Sequence, residues 1–335
     1  MTSDRLRQFR RAAAPVPGES LRGLVADTCA INRMPNSWGL LQHVGMLHRN
    51  RVDIAESLHL DVDCLAAAIR VDRDEVVSRR YPADGPTHRT FNGIKMLKTK
   101  IDCRFRRFSP AAIASGNLYH PATHELRDLP FSTIGWDILQ DKCPCTEKGV
   151  RQGWTRVNGT AWCDSCGGRL GRISPVMVPD QLHASLQLIA KLVDPDPVVQ
   201  RFAMDMLPRP IQSIDRTLLY DNMMLIARGV DAGRGMPPQS DEVARLALAC
   251  ESLIQWPDGI KSMVASDAAP AGVWHRALRN YAVLDTCASD LGEDPNAPQH
   301  HHTSYVPQGT YGLIRTRLLS AKAASRLTGV ETNLR

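Results

Sequence analysis

The chain of 335 residues contains no apolar run that approaches the roughly 20 residues needed to cross a bilayer. Its N-terminus, MTSDRLRQFRRAAAP, lacks the apolar stretch of a secretory signal. Aromatic residues make up only 5% of the chain, but 43% of all residues are hydrophobic, which is enough for ordinary folded domains. We therefore expect a cytoplasmic protein with no membrane partner.

Signatures of common enzymes are also absent from the sequence. It contains no phosphate-binding loop of the form G-x-x-x-x-G-K-[ST], no nucleophile elbow and no H-E-x-x-H motif. Acidic residues that converge from distant positions would not be visible in one sequence. We therefore expect a protein that is not an enzyme, and an enzyme of nucleic-acid metabolism with unrecognised carboxylates is the minority hypothesis.

The sequence does contain two close cysteine pairs, Cys143 with Cys145 and Cys163 with Cys166. Two such pairs separated by a short hairpin are typical of a closed, tetrahedral zinc site made of four thiolates. The cysteine count of nine is odd, and together with the absence of a secretory signal it favours thiols and a metal over two disulfides. We predict structural zinc in a small zinc ribbon, roofed by the apolar side chains Trp154, Val157 and Trp162.

One irregularity leaves a second set of ligands open. The first pair is C-x-C, one residue shorter than the usual C-x-x-C, and this spacing imposes a tighter geometry. His120 and His124 are the substitutes if one cysteine does not bind the metal. Otherwise they are surface or core histidines.

Positive charge is concentrated in the middle of the chain, which has a net charge of +6. Between residues 89 and 107 the sequence contains seven basic residues and one acidic residue, Asp102. A solvated basic face and a surface that contacts nucleic-acid phosphates explain such a run equally well. The candidate residues for binding DNA or RNA are Lys95, Lys98, Lys100, Arg104, Arg106 and Arg107.

Apolar residues recur at helical spacing through much of the chain. The pattern predicts a mainly α fold, in which helical domains with helix-turn-helix-like elements flank a small zinc ribbon. We predict an N-terminal helical domain at 1–84, a basic segment with the zinc ribbon at 85–174, and a C-terminal helical domain at 175–335. The last domain ends in a partial helix-turn-helix at 319–335.

Three finer predictions concern individual helices. Ser20 is the expected N-cap of the first helix. Residues 52–71 indicate two helices that meet near Leu60 and Asp61, either as a DNA-binding helix-turn-helix or, the favoured alternative, as two packed core helices. A helix that starts at about Ser240 should end at Trp256 and Pro257, because proline lacks a backbone donor.

Five short segments follow one another in a characteristic order: PVPGESL at 15–21, RRFSP at 106–110, HELRDLPF at 124–131, CPC at 143–145 and CDSCGG at 163–168. Together they resemble the TniQ family of transposition proteins. The resemblance is strong over about the first half of the chain and looser over the helical second half.

The resemblance implies a non-catalytic protein that links target-site recognition to an AAA+ ATPase regulator, which in turn recruits the transposase. Some members dock onto an RNA-guided CRISPR complex, often as a homodimer, and others bind DNA themselves. The section from Pro15 to about Tyr81 is the candidate contact for the ATPase, with Trp38 as either a partner-binding or a core residue. The rival function is that of a sequence-specific DNA-binding regulator with a zinc ribbon.

Overall fold

The computed structural model describes residues 8–12, 14–44, 46, 54–154, 158–229 and 238–265, and these form two compact units. The first unit comprises the described residues up to 204 together with 238–244, and the second comprises 205–229 and 245–265. The predicted bounds at 84/85 and 174/175 both lie within the first unit. The three-domain division stays a prediction, and the partial helix-turn-helix at 319–335 lies outside the described residues.

Helices dominate the described part of the chain. They are α1 (Leu21–Ile31), α2 (Trp38–His43), α3 (Val62–Ile69), α4 (Arg73–Ser78), α5 (Pro110–Ala114), α6 (Asp180–Leu192), α7 (Pro197–Asp205), α8 (Arg209–Gln212), α9 (Arg216–Gly229), α10 (Pro238–Ile254) and α11 (Asp258–Ala265). Within these described segments, no helix combines the length and the apolar composition needed to cross a bilayer.

Two small antiparallel sheets accompany the helices, so the fold is helix-rich but mixed. One contains β1 (Ala83–Asp84), β2 (His88–Phe91) and β3 (Ile94–Leu97) in sequential order, and the other contains β4 (Lys142–Cys143) and β5 (Val150–Arg151). Single turns of 3₁₀-helix occupy Lys98–Lys100, Ala122–Glu125 and Leu170–Arg172.

Helix α1 begins where the sequence predicts. The Ser20 hydroxyl accepts a hydrogen bond from the Gly23 amide at 3.0 Å, and so satisfies one of the unpaired donors at the start of the helix. Leu21 and Leu24 on this helix are fully buried. The Ser20 amide also donates to the carbonyl of His120 at 2.8 Å, which fixes the start of α1 against the 120–125 segment.

The helix pair near residue 60 differs from the prediction. Residues 54–60 form turns in place of the first helix, and the Ser57 hydroxyl accepts a hydrogen bond from the His59 amide at 3.1 Å, a local bond that competes with helix formation. The observed pair is α3 and α4, and Asp61 caps α3 by accepting from the Cys64 amide at 2.8 Å. Helix α4 has six residues, with Asp74 and Glu75 in its first turn, where they would repel phosphates.

The second unit contains α9 and the part of α10 from residue 245 onward. Their buried faces meet where the Cys250 thiol donates to the Met223 sulfur at 3.3 Å. Helix α10 begins at Pro238, two residues before the predicted start at about Ser240. The helix ends at Ile254, shortly before the predicted stop at Trp256 and Pro257.

Candidate metal centre

Two tight turns bring the four predicted cysteines together. Strands β4 and β5 pair with Cys143 opposite Val150, and the hairpin carries Cys143 and Cys145. The second turn is closed by hydrogen bonds from the Gly167 amide to the Cys163 carbonyl at 3.0 Å and from the Cys163 amide to the Gly168 carbonyl at 2.9 Å. All four sulfur atoms lie within 4.8 Å of one another, so the cluster could hold a metal ion.

The separations between sulfurs suit a shared ion. Cys143 Sγ lies 3.9 Å from Cys166 Sγ, and Cys145 Sγ lies 4.0 Å from Cys163 Sγ. A tetrahedron with zinc–sulfur bonds of about 2.3 Å has sulfur–sulfur edges of about 3.8 Å, whereas a disulfide bond is about 2.05 Å long. The four cysteines are free thiols, so the alternative of two disulfides is wrong for this structure.

The two histidines proposed as substitutes lie elsewhere in the core. His120 Nδ1 is 2.9 Å from the Ser20 hydroxyl, and His124 Nε2 is 3.2 Å from the Ser132 hydroxyl. Both rings are buried, and burial lowers the pKa of His124 to about 3 and the pKa of His120 well below its usual value. They are neutral core residues, and the shorter C-x-C spacing does not keep its cysteines out of the cluster.

Nitrogen donors surround the two sulfurs of the second turn. The Ser165 amide donates to Cys163 Sγ at 3.4 Å, and the Gly168 amide donates to Cys166 Sγ at 3.4 Å. Burial raises the pKa of the Cys163 thiol, but hydrogen bonds from the backbone of Cys166 and Ser165 outweigh it and lower the pKa to about 7. Gly167 allows this turn because its φ of +68° lies in the left-handed region. The amide donors of this turn therefore favour the thiolate of Cys163, the form that binds metals, whereas burial raises the pKa of the Cys143 and Cys145 thiols in the first turn.

Gln152 connects the two turns from inside the protein. Its buried side chain donates from Nε2 to Cys163 Sγ at 3.5 Å and to the Val150 carbonyl at 2.7 Å. Its Oε1 accepts from the Asp164 amide at 3.0 Å and from Arg106 Nη2 at 3.4 Å. Because every polar atom of the amide has a partner, Gln152 fixes the orientation of a sulfur ligand relative to both turns.

Arg106 is a structural residue and not part of a nucleic-acid surface. Its side chain is fully buried and donates to Asp164 Oδ1 at 3.1 Å and to the Trp162 carbonyl at 2.7 Å. Its guanidinium also lies 5.7 Å from the centre of the Trp154 ring. Burial lowers the pKa of Arg106, while the charge of Asp164 raises it. Arg106 therefore holds the second cysteine turn, and its buried side chain presents no charge at the surface of this fold for the predicted phosphate contact.

Arg107 has a similar internal role. Its guanidinium donates to the carbonyls of His124 at 2.7 Å and Leu129 at 3.0 Å, and also to the Leu126 carbonyl. Burial lowers its pKa to about 10, opposed by the charge of Asp102. Arg107 therefore organises the 124–129 segment, and its predicted phosphate contact is not supported by this arrangement.

Two of the predicted lysines are engaged in ion pairs. Lys95 Nζ lies 2.8 Å from an Asp84 carboxylate oxygen, across the first sheet. Lys100 is buried, and its Nζ lies 3.7 Å from Asp128 Oδ2. Lys98 and Arg104, the remaining members of the predicted set, are exposed, so the basic run is not a single continuous surface.

Trp38 is half-buried at the start of α2, where its backbone amide donates to the Asn36 side chain at 3.1 Å. The neighbouring Ser37 hydroxyl donates to the Trp154 carbonyl at 3.1 Å, which attaches α2 to the ribbon. The role of Trp38 in partner binding stays a prediction.

The apolar support of the cluster differs from the predicted roof. Trp162 is 41% exposed, and Val157 lies outside the described residues. The core that packs with Cys143 and Cys163 consists instead of Phe108, Ile113, Ala161 and Leu170. The apolar residues that enclose the cysteine turns therefore come from before, between and after the two cysteine pairs.

Helix α1 is tied to the second turn through Asp27. Its carboxylate accepts from the Thr160 amide at 2.7 Å and from the Thr160 hydroxyl at 3.0 Å. Burial raises the pKa of Asp27 to about 6, and the two bonds from Thr160 oppose that rise. The position of α1 is thus linked directly to the loop that carries Cys163.

No protein-family model matches this sequence, and no curated protein matches it. The resemblance to the TniQ family therefore rests on the order of its short segments and stays a prediction.

Proposed function

We propose that this protein is a non-catalytic adaptor of DNA transposition, with a structural zinc ion at its centre. The observation that carries the proposal is the closed cluster of four cysteine sulfurs, linked through Gln152 and Arg106 to the surrounding fold. A metal bound by four thiolates has no coordination position left for water or substrate, so such a site staples a fold together and does not catalyse a reaction.

Zinc is the proposed metal because of the ligand set. Four thiolates in a tetrahedral arrangement suit zinc or iron, and do not suit magnesium or calcium, which prefer oxygen. Two short turns with backbone N–H groups directed at sulfur are a common form of structural zinc site.

The location of the TniQ-like segments supports the adaptor part of the proposal. The segment 15–21 caps α1, 106–110 supplies Arg106, and 124–131 supplies the carbonyl groups that bind Arg107. The last two segments carry the four cysteines. The segments 106–110, 143–145 and 163–168, which are far apart in the chain, thus meet around one centre, as expected if their order reflects a shared architecture.

The proposed partners follow from the resemblance. They are an AAA+ ATPase regulator, contacted through residues 15–81, and a target selector, either an RNA-guided CRISPR complex or DNA bound directly. A homodimer is part of the same proposal. RNA that co-purifies with the protein and its neighbours would distinguish the two kinds of selector.

The decisive experiment begins with the genes beside this one, among which we expect an AAA+ ATPase and a transposase. A transposition assay in cells that carry these genes should give insertions at the correct target only when the full chain is present. Insertion at an unchanged frequency and site without the chain would contradict the adaptor role.

A further inference from the structure

A cleft of about 760 Å³ lies on the outer side of the metal-binding turns. One wall is the turn of the β4–β5 hairpin, from Lys142 to Gly149, and the other is the segment 168–174. Neither the predicted basic run at 95–107 nor the internal network of Gln152 and Arg106 reaches this cleft. Its surface therefore needs its own explanation.

The cleft is lined predominantly by positive charge. Lys142, Lys148, Arg169 and Arg172 border it, and Glu147 is the one carboxylate among its lining residues. Lys142, Lys148 and Arg172 are exposed and form no ion pair within the described part of the chain. Their charges are thus available to a partner, in contrast to those of Arg106 and Arg107.

The net charge of the cleft must also include the charge of a metal bound to the four cysteines. Zinc with four thiolates carries a net charge of −2, and Glu147 adds one more negative charge. The four basic side chains outnumber these charges, and three of them extend into solvent on long, flexible stems. The cleft therefore stays positive after the metal has bound.

The remaining lining indicates which kind of anion fits. The lining includes the apolar side chains of Pro144 and Ile173 but no aromatic residue, whereas docked peptides usually depend on buried apolar or aromatic anchors. Nucleic-acid backbones are bound mostly by Lys, Arg and neutral hydrogen-bond donors. The cleft also contains neutral donors, namely Gln140, Thr146 and Ser174.

We infer that this cleft, bounded by Lys142, Lys148 and Arg172, is a docking surface for the phosphodiester backbone of a nucleic-acid strand. The inference does not rest on the adaptor role, since a purified chain suffices to test it.

The test compares two variants that each remove two positive charges. The cleft variant is Lys148→Gln with Arg172→Gln, and the control is Arg33→Gln with Arg201→Gln, whose side chains are also exposed but lie outside both the cleft and the predicted basic run. Binding of a labelled, mixed-sequence single-stranded DNA of about 24 nucleotides is measured by fluorescence anisotropy over a range of salt concentrations.

We expect the full chain to bind with a Kd in the nonspecific range of about 10⁻⁴–10⁻⁶ M. Loss of two phosphate contacts should reduce the slope of log Kd against log salt concentration by about 1.4, while the control keeps the slope of the unmodified chain. Metal content is measured in both variants, so that weaker binding is not confused with loss of the ribbon.

Three results of this comparison would overturn the inference: no binding by the unmodified chain, an unchanged slope in the cleft variant, or an equal loss in the control. Unlabelled polyglutamate of equal charge is added as a competitor. If it displaces the DNA as well as unlabelled DNA does, the surface is one for acidic peptides and the inference fails.

Discussion

The buried ion pair between Arg106 and Asp164 gives the sharpest test of how the ribbon is held. Replacing Arg106 with Met preserves much of the volume but leaves Asp164 without its charged partner and leaves the Trp162 carbonyl without a donor. Removing one member of a buried pair costs about 3–5 kcal/mol. Asp164 is 11% exposed and also accepts from the Gly153 amide at 3.1 Å, so we expect the lower end, about 3 kcal/mol.

The chain offers a matched control two residues earlier. Arg104 is 69% exposed and lies 3.5 Å from Asp102, so Arg104→Met should cost less than about 1 kcal/mol. Urea unfolding of the metal-loaded protein, followed by circular dichroism, measures both variants at the same pH and protein concentration.

A double variant separates the pair from simple loss of packing. If Arg106 mainly balances the charge of Asp164, Arg106→Met combined with Asp164→Asn should cost less than the two single changes added together. Equal stability of the Arg106 and Arg104 variants would refute the structural role. Additive costs in the double variant would refute the pairing argument.

Three further predictions concern the cluster and its surroundings. Cys163→Ser should lose the bound metal together with the fold of the ribbon, because metal binding and folding are one equilibrium in such sites. Elemental analysis measures the metal and circular dichroism measures the fold. Full metal content in this variant would contradict the proposed ligand set. Gln152→Leu should keep the metal but bind it about 10–100-fold more weakly in a chelator competition, and unchanged affinity would show that the amide does not orient Cys163. Burial lowers the pKa of His124 to about 3, so the neutral ring contributes stability that is complete above about pH 6.5 and is lost as the pH falls towards 3. Between pH 7 and pH 5, His124→Gln should therefore lose less stability to urea unfolding than the unmodified chain does. An equal loss in the two proteins would contradict this prediction.

The cluster of four cysteines was predictable from the sequence because its geometry is local. Each cysteine pair forms its own tight turn, so spacing alone indicates the site. The Ser20 cap was predictable for the same reason, since its hydrogen bond reaches only three residues along the chain. The sequence does not show which distant segments enclose the turns, because that depends on tertiary packing.

Arg106 and Arg107 show that burial by distant segments cannot be predicted from the local sequence. In the sequence they belong to a basic run, and nothing local distinguishes a buried arginine from an exposed one. Their partners lie up to 58 residues away, so their burial could not be inferred from the run itself. Exposed Arg104 and buried Arg106 differ through the strand and loop contacts around them and not through composition.

A two-residue Asn-Gly turn in the sequence indicates a β-hairpin. Asn92 and Gly93 join β2 to β3 with φ values of 47° and 81°, a two-residue turn that favours the Asn-Gly sequence. The pair lies in a segment rich in basic residues, whose pattern of charge does not by itself indicate strand pairing. The fold is therefore more mixed than the predicted helical architecture.

We propose that a zinc ion bound by Cys143, Cys145, Cys163 and Cys166 staples the first unit. X-ray absorption combined with elemental analysis, on protein purified without chelators, tests it most directly. We predict about one zinc per chain, with four sulfur neighbours at about 2.3 Å. Absence of zinc, or a coordination shell that contains histidine nitrogen in place of a sulfur, would contradict the claim.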